Sequence, residues 1–252
     1  MPSIQGHKIL IIGGTSGIGY SVAEKAVREG AQVHVASSSP DKVKKAVESL
    51  QQIDKGAVVD GHVIDMFQDN VTDELEKLFS KIAPLNHVVY TAGRVDFTNL
   101  KLGLENVTKE SLLSQLNTRL VAGFEVAKMV RKYVKNDYTS SFIITTGSAY
   151  EKPIPGLPGA GVFCAAQYGF TSSVAVELAP IRVNAVAFGA VSTGIFGPTE
   201  EVRKQTLAPF VEQSPLKKVG TADEAGESYI YLLKDSNNTG SVINCNAGVA
   251  LI

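Results

Sequence analysis

Near the start of the chain, Lys8-Ile9-Leu10-Ile11-Ile12 shows no polar alternation after its first residue, the pattern of a strand buried on both faces. The apolar period then changes: Ile18, Val22, Ala23, Ala26 and Val27 share one side of a helix that Gly30 ends. The same exchange continues along the chain. Residues 33–36, 61–64, 87–90, 142–145, 181–187 and 241–245 read as further strands, the third strand ending at Asp65 and the fourth stopping at Thr91-Ala92-Gly93. Helices are predicted over residues 39–50, with Ser39 as N-cap and Pro40 at the first helical position, and over residues 72–82. A long helix is predicted over residues 108–135, with Leu112, Leu116, Leu120, Phe124 and Ala127 on one side. Residues 94–107 read as a loop, as do residues 150–161, stiffened by Pro153, Pro155 and Pro158; a helix follows to about Leu178. Residues 191–220 read as irregular with a short helical stretch, and Thr221-Ala222-Asp223-Glu224 is a capping box for one more helix. Such alternation predicts an α/β fold, a parallel sheet of about seven strands with helices on both faces. No repeat, low-complexity tract or linker interrupts it, so one domain is expected over residues 1–252.

Bulk properties narrow the function. The 252 residues are 44% hydrophobic, enough for a full core, and the net charge is −1 with dispersed basic residues, which does not favour a nucleic-acid partner. No apolar run nears the roughly 20 residues of a membrane span, and the first seven residues lack the apolar core of a secretory signal. Cys164 and Cys245 are too few for a disulfide framework, and a reducing, cytoplasmic setting is expected. His7, His34, His62 and His87 have no ligand spacing, and no metal site is expected.

The segment Gly13-Gly14-Thr15-Ser16-Gly17-Ile18-Gly19 joins the first strand to the first helix. Bare backbone there lets a pyrophosphate approach, where the N–H groups and dipole of a helix N-terminus meet its charge. The spacing G-x-x-x-G-x-G resembles that of the short-chain dehydrogenase/reductase family, and the resemblance runs over nearly the whole chain. It implies a single-domain, doubly wound Rossmann fold that binds NAD(H) or NADP(H), with Gly13, Thr15, Ser16, Gly17, Ile18 and Gly19 around the phosphates. Asp65 matches the family's acid for the adenine amino group, with Met66 beside it; the alternative is an ordinary strand-end aspartate capping a turn. Ala92-Gly93 matches the second half of the family's Asn-Asn-Ala-Gly turn, Tyr90-Thr91 replacing the first half. Gly189 and Thr193 match the stretch where a threonine hydroxyl holds the nicotinamide carboxamide, and Phe188 replaces the usual proline. An acid at the end of the second strand would bind ribose hydroxyls and repel a 2′-phosphate. This chain has Ser37-Ser38-Ser39 there, with no acid before Asp41 and with Lys42 following, so NADP(H) is favoured over NAD(H).

The family's chemistry uses a tyrosine as general acid/base, a lysine four residues on, a serine that orients the carbonyl and an asparagine. None of the eight tyrosines has a lysine four residues on. Ser148, after the fifth strand, matches the serine; its alternative reading is a strand cap. Counting back without gaps from Val176-Glu177-Leu178-Ala179-Pro180 puts Ala160 at the tyrosine and Cys164 at the lysine; a gapped count uses Phe163 and Gln167. Asn117 is the candidate asparagine, although counting from Phe124 and Lys128 puts Arg119 in its place. Cys164 reads equally as a small core residue, Arg119 as a helix-surface charge, and Tyr150 and Tyr168 as core or lid residues rather than pocket acids. Ala and Cys in place of Tyr and Lys imply a roomier site. Three functions follow: a redox enzyme on an apolar carbonyl or alcohol, with the proton supplied by Ser148, Tyr150, Tyr168 or water; a non-redox cyclase or isomerase; and a non-catalytic nucleotide-binding pseudoenzyme. The resemblance also implies a homodimer or homotetramer built on the helices from Thr108 and from about Gly159. It further implies a substrate lid over residues 191–220, with Ile195, Phe196, Leu207 and Phe210 as an apolar surface for a small-molecule substrate.

Overall fold

The computed structural model describes residues 2–68, 70–93 and 103–252. Strands and helices alternate from the first turn: β1 (Lys8–Ile12), α1 (Gly17–Arg28), β2 (Gln32–Ser37), α2 (Pro40–Gln51), β3 (Val59–Val63), α3 (Val71–Ile82) and β4 (His87–Tyr90). Then come α4 (Lys109–Leu116), one π-helical turn (Asn117–Val121), α5 (Ala122–Tyr133), β5 (Ser141–Gly147), α6 (Pro158–Leu178) and β6 (Arg182–Phe188). The chain ends with β7 (Val191–Ser192), α7 (Glu200–Glu212), β8 (Gly220–Thr221), α8 (Ala222–Lys234) and β9 (Val242–Cys245). Seven strands form one sheet in the order β3-β2-β1-β4-β5-β6-β9, every neighbouring pair parallel.

The apolar runs explain the layers. Leu10, Val88, Phe142 and Ile144 face α3, α5 and α6, packing on Phe79, Val126, Val130 and Phe170. Ile9, Ile11, Val33, Val35 and Ile143 face the other way, onto Val22, Ala26, Tyr229 and Leu232 of α1 and α8. Strand order reverses at β1, which lies between β2 and β4. The carboxyl ends of these three strands therefore border a crevice, the place where open α/β sheets take ligands.

Three expectations need correction. Residues 108–135 are not one regular helix: the π turn inserts a residue, rotating the apolar face by roughly 100°. Beyond it Ala122, Val126, Met129 and Val130 are buried, while Phe124 is 48% exposed. Residues 191–220 hold a full helix, α7, whose Thr199 side chain caps it at Val202 N, and Pro158 begins α6 instead of closing a loop. The predicted loop over residues 94–107 lies outside the described residues as far as 102; Leu104–Asn106 form a 3-10 turn.

The histidines form two hydrogen-bonded pairs. His34 Nδ1 lies 3.0 Å from His62 Nε2, and His7 Nδ1 lies 2.9 Å from His87 Nε2, whose Nδ1 meets Ser141 Oγ at 2.9 Å. Burial, then the charge of His62, pulls His34 from 6.5 down to about 4; burial also lowers His62, His7 and His87. A depressed histidine is neutral in the fold while the unfolded chain takes up a proton, so stability falls as pH drops from about 6.5 toward 4. For His34 alone the loss is roughly 2–3 kcal/mol. Urea unfolding should accordingly show a markedly lower midpoint at pH 5 than at pH 7.5, and His34→Leu should flatten that dependence.

Candidate functional site

The glycine turn sits at the carboxyl end of β1. Gly17 has φ +53°, a left-handed conformation that suits glycine, and the nearest atom to a Cβ built there is Thr193 Cγ2 at 3.3 Å. The turn after β6 thus touches the glycine turn across the crevice. Gly19 is needed for a different reason: a Cβ would lie 2.3 Å from the Gly13 carbonyl oxygen and 2.5 Å from Thr91 Oγ1. The N-cap of α1, exposed Ser16, makes no side-chain bond back to the helix, and the first turn carries no acid. The leading N–H groups and the positive end of the dipole are open to an anion. Thr15 and Ile18 are half-buried on either side.

Across from this turn, the main-chain N–H groups of Thr91 and Ala92 both donate to Ile12 O, and Thr91 Oγ1 donates to the same oxygen at 3.2 Å. A Cβ on Gly93 would meet nothing within 4 Å among the described residues. At the end of β2, Ser37 is half-buried and Ser38 exposed, whereas Ser39 Oγ accepts from Lys42 N and caps α2. Asp65 Oδ1 accepts from Phe67 N at 3.1 Å, the turn-capping geometry, and the side chain of Met66 is buried in the core. These residues fit a dinucleotide: a bare-backbone cradle, an uncapped helix N-terminus and a hydroxyl-bearing strand end, with Thr193 half-buried at the far side.

The opposite half of the crevice is built from β5, α6 and the π turn. Ser148 follows β5, is buried, and accepts from Glu151 N and Lys152 N through its carbonyl; no hydrogen bond joins its hydroxyl to another described residue. Cys164 lies at the level of the end of β5, its Sγ 3.2 Å from a Cβ built on Gly147. Gln167, one turn further, donates from Nε2 to Thr145 O, deeper in the sheet. Ala160 is half-buried one turn before Cys164, and Phe163 packs against Gly159.

The candidate acids diverge. Tyr150 is 52% exposed and its ring lies 5.1 Å from that of Tyr168. Tyr168 donates to Glu151 Oε1, and burial together with that carboxylate pushes its hydroxyl up to about 12. Asn117 is exposed and opens the π turn. Two residues on, and so on the opposite side of the helix, Arg119 is half-buried in a turn that packs against α6. Burial holds its guanidinium below the usual arginine range. Tyr90 donates to Thr118 O at 2.9 Å and so anchors the π turn to β4. Arg119 was legible only by counting back from Phe124 and Lys128, and its reading as a surface charge is corrected. The expected apolar surface of residues 191–220 is corrected too: Phe196 and Leu207 are buried and Phe196 stacks edge-on with Phe210 at 5.8 Å, so that of the four named residues Ile195 is the exposed one.

Comparison with known proteins agrees with this architecture. The profile of the SDR-like Rossmann domain matches residues 3–252. Short-chain dehydrogenase/reductase ATR9 of Stachybotrys chlorohalonatus is 36% identical over 256 residues, covering all of both chains. The structure of the MalC reductase/Diels-Alderase from Malbranchea aurantiaca superposes with a TM-score of 0.89 at 32% identity, covering 99% of this chain and 98% of that one. A small-chain dehydrogenase in complex with NADPH superposes with a TM-score of 0.79 at 25% identity, covering 98% of this chain and 100% of the other.

Proposed function

Because this chain belongs to the short-chain dehydrogenase/reductase family, we propose that it is an NADP(H)-dependent oxidoreductase of atypical active site, acting on an apolar carbonyl or alcohol. One observation carries the reading: the glycine turn is uncapped and lies beside Thr193; the ungapped count, which sets Ala160 and Cys164 in place of the family's tyrosine and lysine, supports the atypical site. In this reading the amides of Ser16, Gly17 and Ile18 bind the pyrophosphate, Ser37 and Ser38 the 2′-phosphate, Ala92 and Gly93 border the adenosine ribose, and Thr193 orients the carboxamide. Asp65, whose Oδ1 accepts from Phe67 N, lies at the adenine edge. Bound there, the nicotinamide supplies the hydride. Ser148 orients the substrate oxygen, and water replaces the missing phenol, since Tyr168 is engaged with Glu151 and Tyr150 lies outside. Loss of a general acid slows such a reaction by about 10²–10⁴-fold without abolishing it.

A second reading, a non-redox cyclisation on the same scaffold, draws on the relative described as a reductase/Diels-Alderase and on the small residues at 160 and 164. Product analysis alongside NADPH absorbance separates the two. Product formed with stoichiometric NADPH oxidation supports the redox reading; product without oxidation supports cyclisation; neither, with NADPH still bound, leaves a nucleotide-binding protein without catalysis. Exposed Val121 and Phe124 on one helix and Val162 and Val176 on α6 suit burial in a homodimer. No helix among the described residues is long and apolar enough to cross a membrane.

Cofactor choice has its own test. Ser38→Asp places a carboxylate beside the 2′-phosphate site and should reverse the preference, weakening NADPH by about 10- to 100-fold and sparing NADH. Titration of both variants with both nucleotides reads the effect, and a parent that prefers NADH would overturn the assignment of Ser37 and Ser38.

A further inference from the structure

Two arginines among the described residues, Arg182 and Arg119, are drawn into the fold and satisfied very differently. Arg182, on β6, donates to four main-chain carbonyls: Tyr138 O and Leu232 O at 2.8 Å, Leu233 O at 3.3 Å and Thr139 O at 3.4 Å. That guanidinium is structural, its donors spent on the ends of neighbouring elements. Arg119 has one hydrogen-bond partner among the described residues, Gln115 Oε1, reached by Nε at 3.3 Å and lying one turn back on its own helix. A guanidinium carries five N–H donors and no acceptor, so the planar fork of Arg119 is left without a carboxylate or carbonyl among the described residues. It is also not sealed: the residue keeps partial exposure, and none of its nitrogens is among the fully enclosed, unpartnered polar atoms.

Its surroundings specify what would complete it. The π turn packs against α6, the helix of Cys164, and the Tyr90 hydroxyl beside it has already given its proton to Thr118 O. Cys164 borders the end of β5, next to Ser148. Phe163 and Leu112 pack about Gly159, one residue before Ala160 on α6. A lone guanidinium fork matches a planar monoanion, which takes both parallel N–H groups. A phosphate would call for more positive charge than this one side chain supplies.

We infer that Arg119 binds a carboxylate of the substrate, so that the protein's substrates are apolar acids held by their carboxylate at the π turn. This inference rests on the crevice being the active site, as proposed above, and adds the chemical class of what enters it. Arg119 is then a substrate-anchoring residue that sets orientation toward Ser148 and the nicotinamide side of the crevice.

The test uses hexanoate and benzoate against hexanamide and benzamide as probes, titrated into the intact protein at pH 8 with and without saturating NADP⁺ and read by calorimetry. The parent should bind each acid at least about 10-fold more tightly than its amide, the range expected for a hydrogen bond to a charged group. Arg119→Gln should erase that preference, and Arg119→Lys, which keeps the charge and loses the fork, should retain only part of it. NADP⁺ affinity should be unchanged in both variants. A parent that does not discriminate acid from amide, or an Arg119→Gln protein that still does, overturns the inference. The parent comparison stands even if a variant folds poorly. Failure of NADP⁺ to bind would instead strike the cofactor reading, leaving the acid-against-amide comparison without nucleotide to decide this one.

Discussion

Gly17→Val is expected to abolish NADP(H) binding, lowering affinity by at least about 100-fold, while leaving the protein folded. Two effects combine. At φ +53° a β-branched residue is strained, costing roughly 1–2 kcal/mol. Its Cβ would also stand 3.3 Å from Thr193 Cγ2, with the branches filling the cradle above the α1 N-terminus. Calorimetric titration beside a thermal melt reads the two effects separately. Gly93→Ala is the companion variant: its Cβ meets no protein atom within 4 Å, so a fall in nucleotide affinity at unchanged stability reports a ligand contact. Unaltered binding in Gly17→Val would remove the pyrophosphate from this turn.

Restoring the family's acid should have the second large effect, and the geometry changes how that is done. Ala160→Tyr with Cys164→Lys alone puts an ammonium into a buried position on α6, the helix packed against the π turn that carries the Arg119 guanidinium. An uncompensated buried charge of this kind costs about 3–5 kcal/mol, so the double variant should be destabilised and gain little. Adding Arg119→Asn removes the opposing charge. The triple variant should then reduce simple ketones with NADPH at least about 10²-fold faster than the parent. The gain should rise with the tyrosine's ionisation range lowered by the neighbouring lysine. Phe163→Tyr with Gln167→Lys is the control, because Gln167 bonds Thr145 O deeper in the sheet than Cys164. A parent already reducing ketones at ordinary rates would mean that another acid acts, and Tyr150→Phe and Tyr168→Phe would identify it.

Much of the scaffold was readable because local rules agreed with one another. The β1 run, the Ser39-Pro40 cap and the Thr221/Glu224 capping box each encode an element within a few residues. The π turn was not readable, because the sequence from Asn117 to Val121 fits a regular helix and it is the Tyr90 hydroxyl, from a strand about 28 residues earlier, that holds Thr118 O. That bulge is also why Arg119 faces inward while Phe124 faces out. The apolar residues of 191–220 misled for a related reason: Phe196, Leu207 and Phe210 look like a substrate surface in one dimension, yet Phe196 and Leu207 are buried and Phe196 packs edge-on against Phe210. At the second strand end, composition counted three hydroxyls, but one is drawn into the α2 cap.

A crystal structure of the NADP⁺ complex tests the central claim, an intact nucleotide cradle beside a replaced proton donor, most directly. The account expects pyrophosphate oxygens on the amides of Ser16, Gly17 and Ile18, the 2′-phosphate at Ser37 and Ser38, and the carboxamide at Thr193. It also expects no tyrosine hydroxyl or lysine ammonium within about 3.2 Å of the nicotinamide ribose. A phenol or ammonium in that position, or a nucleotide bound away from the glycine turn, would contradict it.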